Sequence, residues 1–189
     1  MNVVALENTV LALLEAAPGL GSIHLNKGLL IIDAYHHSIF LETLTGIDYV
    51  KHDLGPVPEP NAHIVIYKME LDKDKIEVRK EKRGPSYIQN AHYAISKPDY
   101  SIFSDTSKDI IIEIANMIKP MSASRLSRIT HNKAWEETPK GQKIPIEAAY
   151  SMQIISRNVR KLTDSERNYA KNILEGLYGS NALALSAGH

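Results

Sequence analysis

Apolar residues recur at helical spacing in several separate stretches of this chain, and the pattern predicts a mainly helical protein. The first stretch, residues 3–16, ends before Pro18 and Gly19. The second, residues 23–44, carries an apolar band wide enough to predict a central helix contacted on more than one side. Similar spacing predicts helices over residues 59–71, 105–119, 122–131 and 146–160, and a capping box at residues 163–166 begins the last helix.

A strand-like pattern separates the third helix from the fourth. Residues 76–80 alternate between apolar and charged side chains, and residues 87–95 follow a Gly-Pro turn, so the two segments predict a β-hairpin. The expected fold is mainly α (α+β), a compact multi-helix domain with a small β-hairpin insertion. We expect a single domain over residues 1–179 and a flexible C-terminal tail over residues 180–189.

The most constrained segment is residues 48–58, between the second and third helices. Its two prolines, of which Pro56 is the first, fix their own φ at about −65° and push the preceding residues out of the α region. Gly55 is free to adopt the backbone angles that a sharp corner needs. The segment therefore predicts a rigid corner that turns the chain toward the next helix and holds Tyr49 and Lys51 at a fixed angle.

Composition excludes several classes of protein. The chain has 189 residues, with 22 Lys and Arg against 22 Asp and Glu, so its formal net charge is zero. A dedicated nucleic-acid or membrane-surface binder would usually be basic, whereas a neutral chain weakly favours a homodimer or docking onto another protein. There are no cysteines, and no apolar run approaches the roughly 18 residues that a membrane span needs. Because the N-terminus also lacks a basic leader, we expect a cytoplasmic protein outside the membrane.

No motif of a familiar catalytic, cofactor or metal site occurs in the sequence. Nucleophile motifs such as G-x-S-x-G and S-x-x-K are absent, and so are the glycine-rich and Walker-type phosphate loops. The adjacent His36 and His37 would point about 100° apart on a helix, so they cannot share one ion. We therefore expect a protein that is not an enzyme and that holds neither a cofactor nor a metal.

Residues 105–133 have the outline of a helix-turn-helix, with a helix, a Pro-Met-Ser turn and a short second helix. Arg125, Arg128 and Lys133 lie on or just after the second helix, where exposed cations can contact DNA phosphates. Two short helices with a tight turn are also common in α-rich domains, and these cations then belong to the solvated face of a packed helix. The neutral net charge favours the second interpretation. A DNA-binding regulator of its own operon is the alternative function.

Trp135 is the single tryptophan of the chain and lies just past a predicted helix end. A tryptophan in that place is usually a core residue that anchors a loop. It can also be an interface hot spot, because Trp and Tyr are enriched in protein interfaces. Nine tyrosines against two phenylalanines lean toward the interface.

Two separated motifs follow one another in a fixed order along the chain. The first comprises Leu25-Asn26-Lys27-Gly28-Leu29-Leu30, then Tyr49-Val50-Lys51 and Gly55-Pro56-Val57-Pro58; the second comprises Ser124, Leu126-Ser127, Thr130-His131 and Trp135. Together they resemble the SocA-like, or Panacea, antitoxin domain family over about residues 5–150. The chain departs from the family pattern at Gly28, where a larger residue is commoner, and at Ile31-Ile32, which replace an aromatic.

The resemblance implies a compact, mostly helical domain that neutralises a cognate toxin protein by binding it. Members of the family are typically encoded beside their toxins, some in prophages, and one relative acts as an adaptor that delivers its toxin to a AAA+ protease. On this basis six residues are expected to bind the partner or to define the fold, and the choice between these roles stays open: Tyr49, Lys51, Gly55, Pro56, His131 and Trp135.

Overall fold

Six α-helices and two small antiparallel sheets make up the part of the chain that the computed structural model describes, residues 1–53, 55–83 and 87–147. The helices are α1 (Val3–Ala16), α2 (Ser22–Phe40), α3 (Pro60–Leu71), α4 (Asp105–Ile118), α5 (Ala123–Thr130) and α6 (Lys133–Glu137), with a 3-10 turn at Tyr100–Ile102. The five helices predicted up to residue 131 are confirmed within a few residues, and α6 was not predicted. The capping-box helix, the domain boundary at residue 179 and the tail lie outside the described residues, as does most of the helix predicted over 146–160.

Each sheet has three strands. The first contains β1 (Leu20–Gly21), β4 (Ile76–Lys82) and β5 (Ile88–Ala94) in the order β1-β5-β4, and the second contains β2 (Tyr49–His52), β3 (Gly55–Pro58) and β6 (Lys143–Ile144) in the order β3-β2-β6. The β4–β5 pair is the predicted hairpin. A single hairpin insertion was an incomplete prediction, because β1 and β6 are two residues long, too short to show an alternating pattern. The described fold is α+β.

Residues 55–58 form a strand, and the prediction of a corner there was wrong. They pair antiparallel with β2, with Pro56 opposite Lys51 and Pro58 opposite Tyr49. The φ of proline and the extended preference of the residue before it both suit a strand. Because β3 lies at the edge of its sheet, its prolines have one side on which no ladder hydrogen bond is needed. The chain therefore reaches α3 through a β-hairpin.

Helix α2 lies at the centre of the described core, as its wide apolar band predicted. It contacts α1, α4, α5 and β3. At Gly28 the neighbouring helices come so close that a Cβ would lie 2.8 Å from Ile118 Cδ1 and 3.0 Å from Leu13 Cδ2. Two charged side chains of α2, Lys27 and Asp33, are buried with the apolar ones. Both lie where the β2–β3 hairpin packs on α2.

Candidate partner-binding site

Five residues from distant parts of the chain meet where the β2–β3 hairpin packs on α2, and we call them the hairpin cluster: Lys27, Lys51, Gly55, His131 and Trp135. Gly55 begins β3 with φ +108°. A Cβ at this position would lie less than 3.0 Å from both Lys27 Nζ and His131 Nε2. Position 55 therefore needs glycine for two reasons. Glycine adopts the positive φ without strain, and its lack of a Cβ leaves room for two polar side chains.

The outer part of the hairpin cluster is an aromatic stack with a lysine over it. The His131 and Trp135 rings have centroids 4.0 Å apart and planes 13° apart. Lys51 Nζ lies 4.6 Å from the centroid of the Trp135 ring and donates a hydrogen bond of 2.8 Å to the Glu136 carbonyl. A cation over the face of an indole is attracted by the ring quadrupole. Lys51 therefore ties the hairpin to α6, and Trp135 lies half-buried between the two.

Lys27 is the most unusual member of the cluster. Only 2% of the residue is exposed, and its Nζ has no hydrogen-bond partner among the described residues. Burial lowers the pKa of Lys27 to about 8, so the amine is still mostly protonated at neutral pH. Buried charges in proteins are normally paired, because an unpaired ion in a low-dielectric surrounding is costly. Within the part of the chain that the structure describes, this ammonium lacks that pairing.

Tyr49 lies apart from the cluster, inside the core. Its hydroxyl donates to Asp33 Oδ2 at 2.7 Å, and Thr45 donates to the same carboxylate through its backbone N–H at 2.9 Å and through its hydroxyl. Burial and the neighbouring carboxylate raise the pKa of Tyr49 well above its ordinary value. Because Tyr49 is buried, it anchors the hairpin to α2 and does not reach the surface where a partner would bind.

The same network predicts a pH dependence of stability. Burial raises the pKa of Asp33 from 3.8 to about 6, against the opposing effect of its hydrogen bonds. The folded chain therefore holds this proton more tightly than the unfolded chain does, so the stabilisation is fully present below pH 3.8 and is lost as the pH rises through 6. The loss should be on the order of 3 kcal/mol of the free energy of unfolding.

The measurement is urea unfolding of the wild type and of Asp33→Asn at several pH values from 4 to 6.5. Other titrating groups contribute equally to both proteins, so the difference between the two isolates Asp33. We expect the stability of the wild type relative to the variant to fall over this window. A difference that stays constant with pH would show that Asp33 keeps an ordinary pKa.

An open pocket of about 600 Å³ lies beside the hairpin, bounded by the start of α2, by β2 and β3, and by the start of α3. Three of the described side chains that line it can titrate, Lys27, His52 and His63, and all three are basic. Burial lowers the pKa of His63 below its ordinary value. The apolar lining includes Ile23, Pro56, Val57, Pro58, Pro60 and Ile64. Pro56, a predicted site residue, is thus a buried part of the pocket wall.

Three large apolar side chains continue from this pocket along α3, and we call them the outer face of α3: Ile64, Tyr67 and Leu71. They are 52%, 58% and 62% exposed. Their spacing of three and four residues places them on one side of the helix. Ile64 belongs to both the pocket lining and the outer face, so the two form one continuous apolar surface.

The cations of the alternative DNA-binding function lie at α5 and α6. Arg125 and Arg128 are exposed on α5, whereas Leu126 and Thr130 bury the other side of that helix. Lys133 is the first residue of α6. Helix α5 contacts both α2 and β3, so it is a packed element of the domain. Regulation by DNA binding remains a prediction that these positions do not test.

No group of three or more His, Asp or Glu side chains within residues 1–53, 55–83 and 87–147 is arranged to hold a metal ion. In the same part of the chain, no helix combines the length and the apolar character that crossing a bilayer requires.

Sequence reasoning missed Lys27, Asp33 and the outer face of α3 as parts of a site. Lys27 belongs to the first motif, and Asp33 follows four consecutive apolar residues of α2. A charge inside an apolar band is a signal of a buried polar group, because charged residues are seldom buried without a specific reason. The periodicity of α3 indicated a helix, but a helix with apolar residues on two opposite sides does not reveal which of these sides is left exposed.

Comparison with known proteins gives one positive result. A search of curated proteins and a search of solved structures each found no match. A family model described as antitoxin SocA-like, Panacea domain, matches residues 25–136, more than half of the chain. The matched segment begins two residues before Lys27 and ends one residue after Trp135, so it contains the whole hairpin cluster. This chain belongs to the SocA-like, Panacea antitoxin domain family.

Proposed function

We propose that this antitoxin-family protein neutralises a cognate toxin protein by direct binding and without catalysis, and that the toxin covers the outer face of α3. The family membership supports an antitoxin role and therefore a toxin as partner. The single observation that carries the choice of surface is the exposure of Ile64, Tyr67 and Leu71 on one side of α3.

Helix α3 is apolar on two opposite sides. Ala62, Ile66 and Met69 are buried against the rest of the domain. A helix of this kind ordinarily has both sides covered, and the outer face of α3 has the composition of a buried side without being buried. Contiguous exposed apolar patches on folded proteins commonly mark interaction sites. The outer face therefore supports a partner that buries it.

Binding of this kind explains neutralisation without any reaction. A stable complex should bury on the order of 1,200–2,000 Å², which is enough to cover the active surface of a small toxin or to hold an inactive conformation of it. Tyr67 lies in the middle of the outer face, and a tyrosine in such a place provides a large contact area together with a hydroxyl that tolerates water. We therefore expect Tyr67 to be a hot spot of the interface.

Replacing Tyr67 by glutamate should weaken toxin binding by about 30-fold or more, roughly 2 kcal/mol, because the variant buries a charge in place of an aromatic anchor. The measurement is the Kd of the purified pair by titration calorimetry, with rescue of growth when the chain is co-expressed with the product of the adjacent gene. Ile112→Glu is the matched control, since Ile112 is an exposed apolar residue of α4.

Three results would contradict the proposal. An adjacent gene product that is harmless when expressed alone would contradict the toxin as partner, and one that stays toxic in the presence of the wild-type chain would contradict neutralisation. Equal binding by Tyr67→Glu and Ile112→Glu would leave direct neutralisation intact and would reject the outer face of α3 as its surface.

Delivery of the toxin to a AAA+ protease is a second route to neutralisation by the same contact. The two routes differ in the amount of toxin that remains in the cell. Neutralisation by binding alone leaves the toxin at constant level in a stable complex, whereas an adaptor shortens its half-life only while a protease is active. A chase of labelled toxin with and without this chain separates the two.

A further inference from the structure

The starting observation is the buried ammonium of Lys27. Its Nζ lies beside Gly55, as does His131 Nε2, and neither neighbour carries a negative charge. None of the described residues offers it a hydrogen bond. Buried polar atoms without a partner are rare in native structures, and each calls for an explanation, such as a group that binds there. The residue is 2% exposed, so bulk solvent hardly reaches it.

The pocket beside Lys27 provides the space for that partner. Lys27 is one of its lining residues, and the volume of about 600 Å³ is in the range of pockets that hold small ligands or side chains. The side chain of a helical residue leans toward the N-terminus of its helix, which here is the end of α2 that borders the pocket. Rotation about the terminal bonds of a lysine is enough to bring Nζ toward a group placed there.

The charges around the pocket select an anion. Lys27 provides a positive charge at neutral pH, whereas the lowered pKa of His63 leaves that imidazole mostly neutral, and the described lining contains no carboxylate. An apolar wall next to a positive charge lowers the local dielectric constant and strengthens the attraction for a negative group. A carboxylate joined to an apolar group therefore satisfies both the lining and the lysine.

The surroundings of the pocket favour a polypeptide over a free small acid. Ile64 connects the pocket to Tyr67 and Leu71. The exposed apolar surface therefore continues along α3 for 7 residues beyond Ile64. A free small acid would fill the pocket and leave that surface uncovered. A protein segment can cover the outer face of α3 and place one acidic, apolar-flanked position in the pocket.

We propose that the pocket between α2, the hairpin and α3 is the anchoring subsite of the toxin interface, and that it takes an apolar side chain of the toxin with an adjoining carboxylate that pairs with Lys27. The inference rests on the proposed function, because the toxin is its occupant. It adds the chemistry that the toxin must carry, an acidic position flanked by apolar residues. The contact is charge-assisted and made inside an apolar surrounding, so it should contribute mainly to slow dissociation.

The first test replaces Lys27 by methionine, which keeps most of the length of the side chain and removes its charge. The toxin Kd should rise by roughly 100-fold, because the carboxylate of the toxin is then buried without a partner. The free energy of unfolding should stay equal or increase, since the variant no longer buries an ammonium. Lys80→Met, which removes one exposed charge on β4, is the control and should leave the Kd within about twofold.

The second test needs no toxin and uses the peptide N-acetyl-Leu-Phe with a free C-terminal carboxylate. Backbone amide shifts of Ile23, Val57 and Ile64 follow its binding to the full chain by NMR. We expect saturable shifts with the acid, at least tenfold weaker binding of the matching C-terminal amide, and no difference between acid and amide in Lys27→Met. Equal binding of acid and amide, or binding of neither, would overturn the inference.

The outcomes separate this inference from the proposed function. If the wild-type chain neutralises the toxin and Lys27→Met does so with the same Kd, the subsite is rejected and the antitoxin function stands. If the wild-type chain does not neutralise the toxin but the acid peptide binds through Lys27, the proposed function fails and the carboxylate site remains. Binding of 4-methylpentanoate as tight as that of the acid peptide would assign the pocket to a free small acid and overturn the polypeptide occupant.

Discussion

Replacing Gly55 by alanine should lower the free energy of unfolding by about 3 kcal/mol, the sum of a strained backbone and an overfilled site. The residue has φ +108°, where an L side chain is rarely found. The new Cβ would also lie less than 3.0 Å from Lys27 Nζ and His131 Nε2. A lysine can rotate away at moderate cost, but the His131 ring is held by its stack on Trp135. Urea unfolding at pH 7, with the slope checked for two-state behaviour, gives the value.

Gly141→Ala is the matched control for this prediction. Gly141 also has a positive φ, +78°, but a Cβ there would meet nothing within 4 Å. It therefore measures the backbone cost alone, which should be about 1 kcal/mol. If Gly55→Ala costs no more than Gly141→Ala, the site around Gly55 has room for a Cβ, and the packing of Lys27 and His131 there does not require glycine.

Replacing Asp33 by alanine should also cost about 3 kcal/mol at pH 7, for a different reason. The carboxylate accepts hydrogen bonds from the Tyr49 hydroxyl and from the N–H and hydroxyl of Thr45, all of them buried. Alanine leaves these three donors without an acceptor and opens a cavity between α2 and the hairpin. The variant no longer buries a carboxylate, which offsets part of this cost. The loss of stability is therefore smaller than the sum of three unsatisfied donors.

Tyr49→Phe tests the same network from its other end. It deletes one hydroxyl and keeps the aromatic ring in the core, so it should cost roughly 1 kcal/mol, well below Asp33→Ala. The double variant should cost less than the sum of the two single ones, since the hydroxyl has no acceptor to lose once Asp33 is gone. Additive effects would mean that the Tyr49–Asp33 hydrogen bond does not hold the hairpin to α2.

The helices were predictable because their signals are local. The end of α2 shows the limit of such signals, since the apolar spacing predicted a helix to residue 44 and the helix ends at Phe40, with Leu41 as its C-cap. Leu41 takes the left-handed conformation, φ 57°, and its N–H bonds to the His37 carbonyl. Glycine and asparagine are the usual residues in that conformation at a helix end, so a leucine there could not be predicted from residue preference. Strands β1 and β6 were unpredictable for a related reason, because their partners are about 70 and 90 residues away and pairing at that distance leaves no local pattern.

The candidate site was predictable in part. Gly55 and Pro56 stood out by their backbone chemistry, and His131 and Trp135 by a family resemblance. The contact between these pairs depends on the fold, as does the place of Lys27 beside them. Tyr49 and Lys51 were expected to be held at a fixed angle by the same segment. They have separate roles, because the Tyr49 side chain ends in the core at Asp33 and the Lys51 side chain ends over the Trp135 ring. Two residues that share one face of a strand can still meet different neighbours along its length.

Helix α3 has a further consequence for how such a protein changes over generations. Its buried side meets the domain through Ala62, Ile66 and Met69, and more than half of each outer-face residue is exposed to solvent. If the toxin binds there as proposed, exchange of an outer-face residue alters what the helix recognises while the residues that keep it folded stay the same. Recognition and folding then depend on different residues of the same 12-residue helix. A lineage can acquire a new partner by drift at Ile64, Tyr67 or Leu71 without passing through an unfolded ancestor.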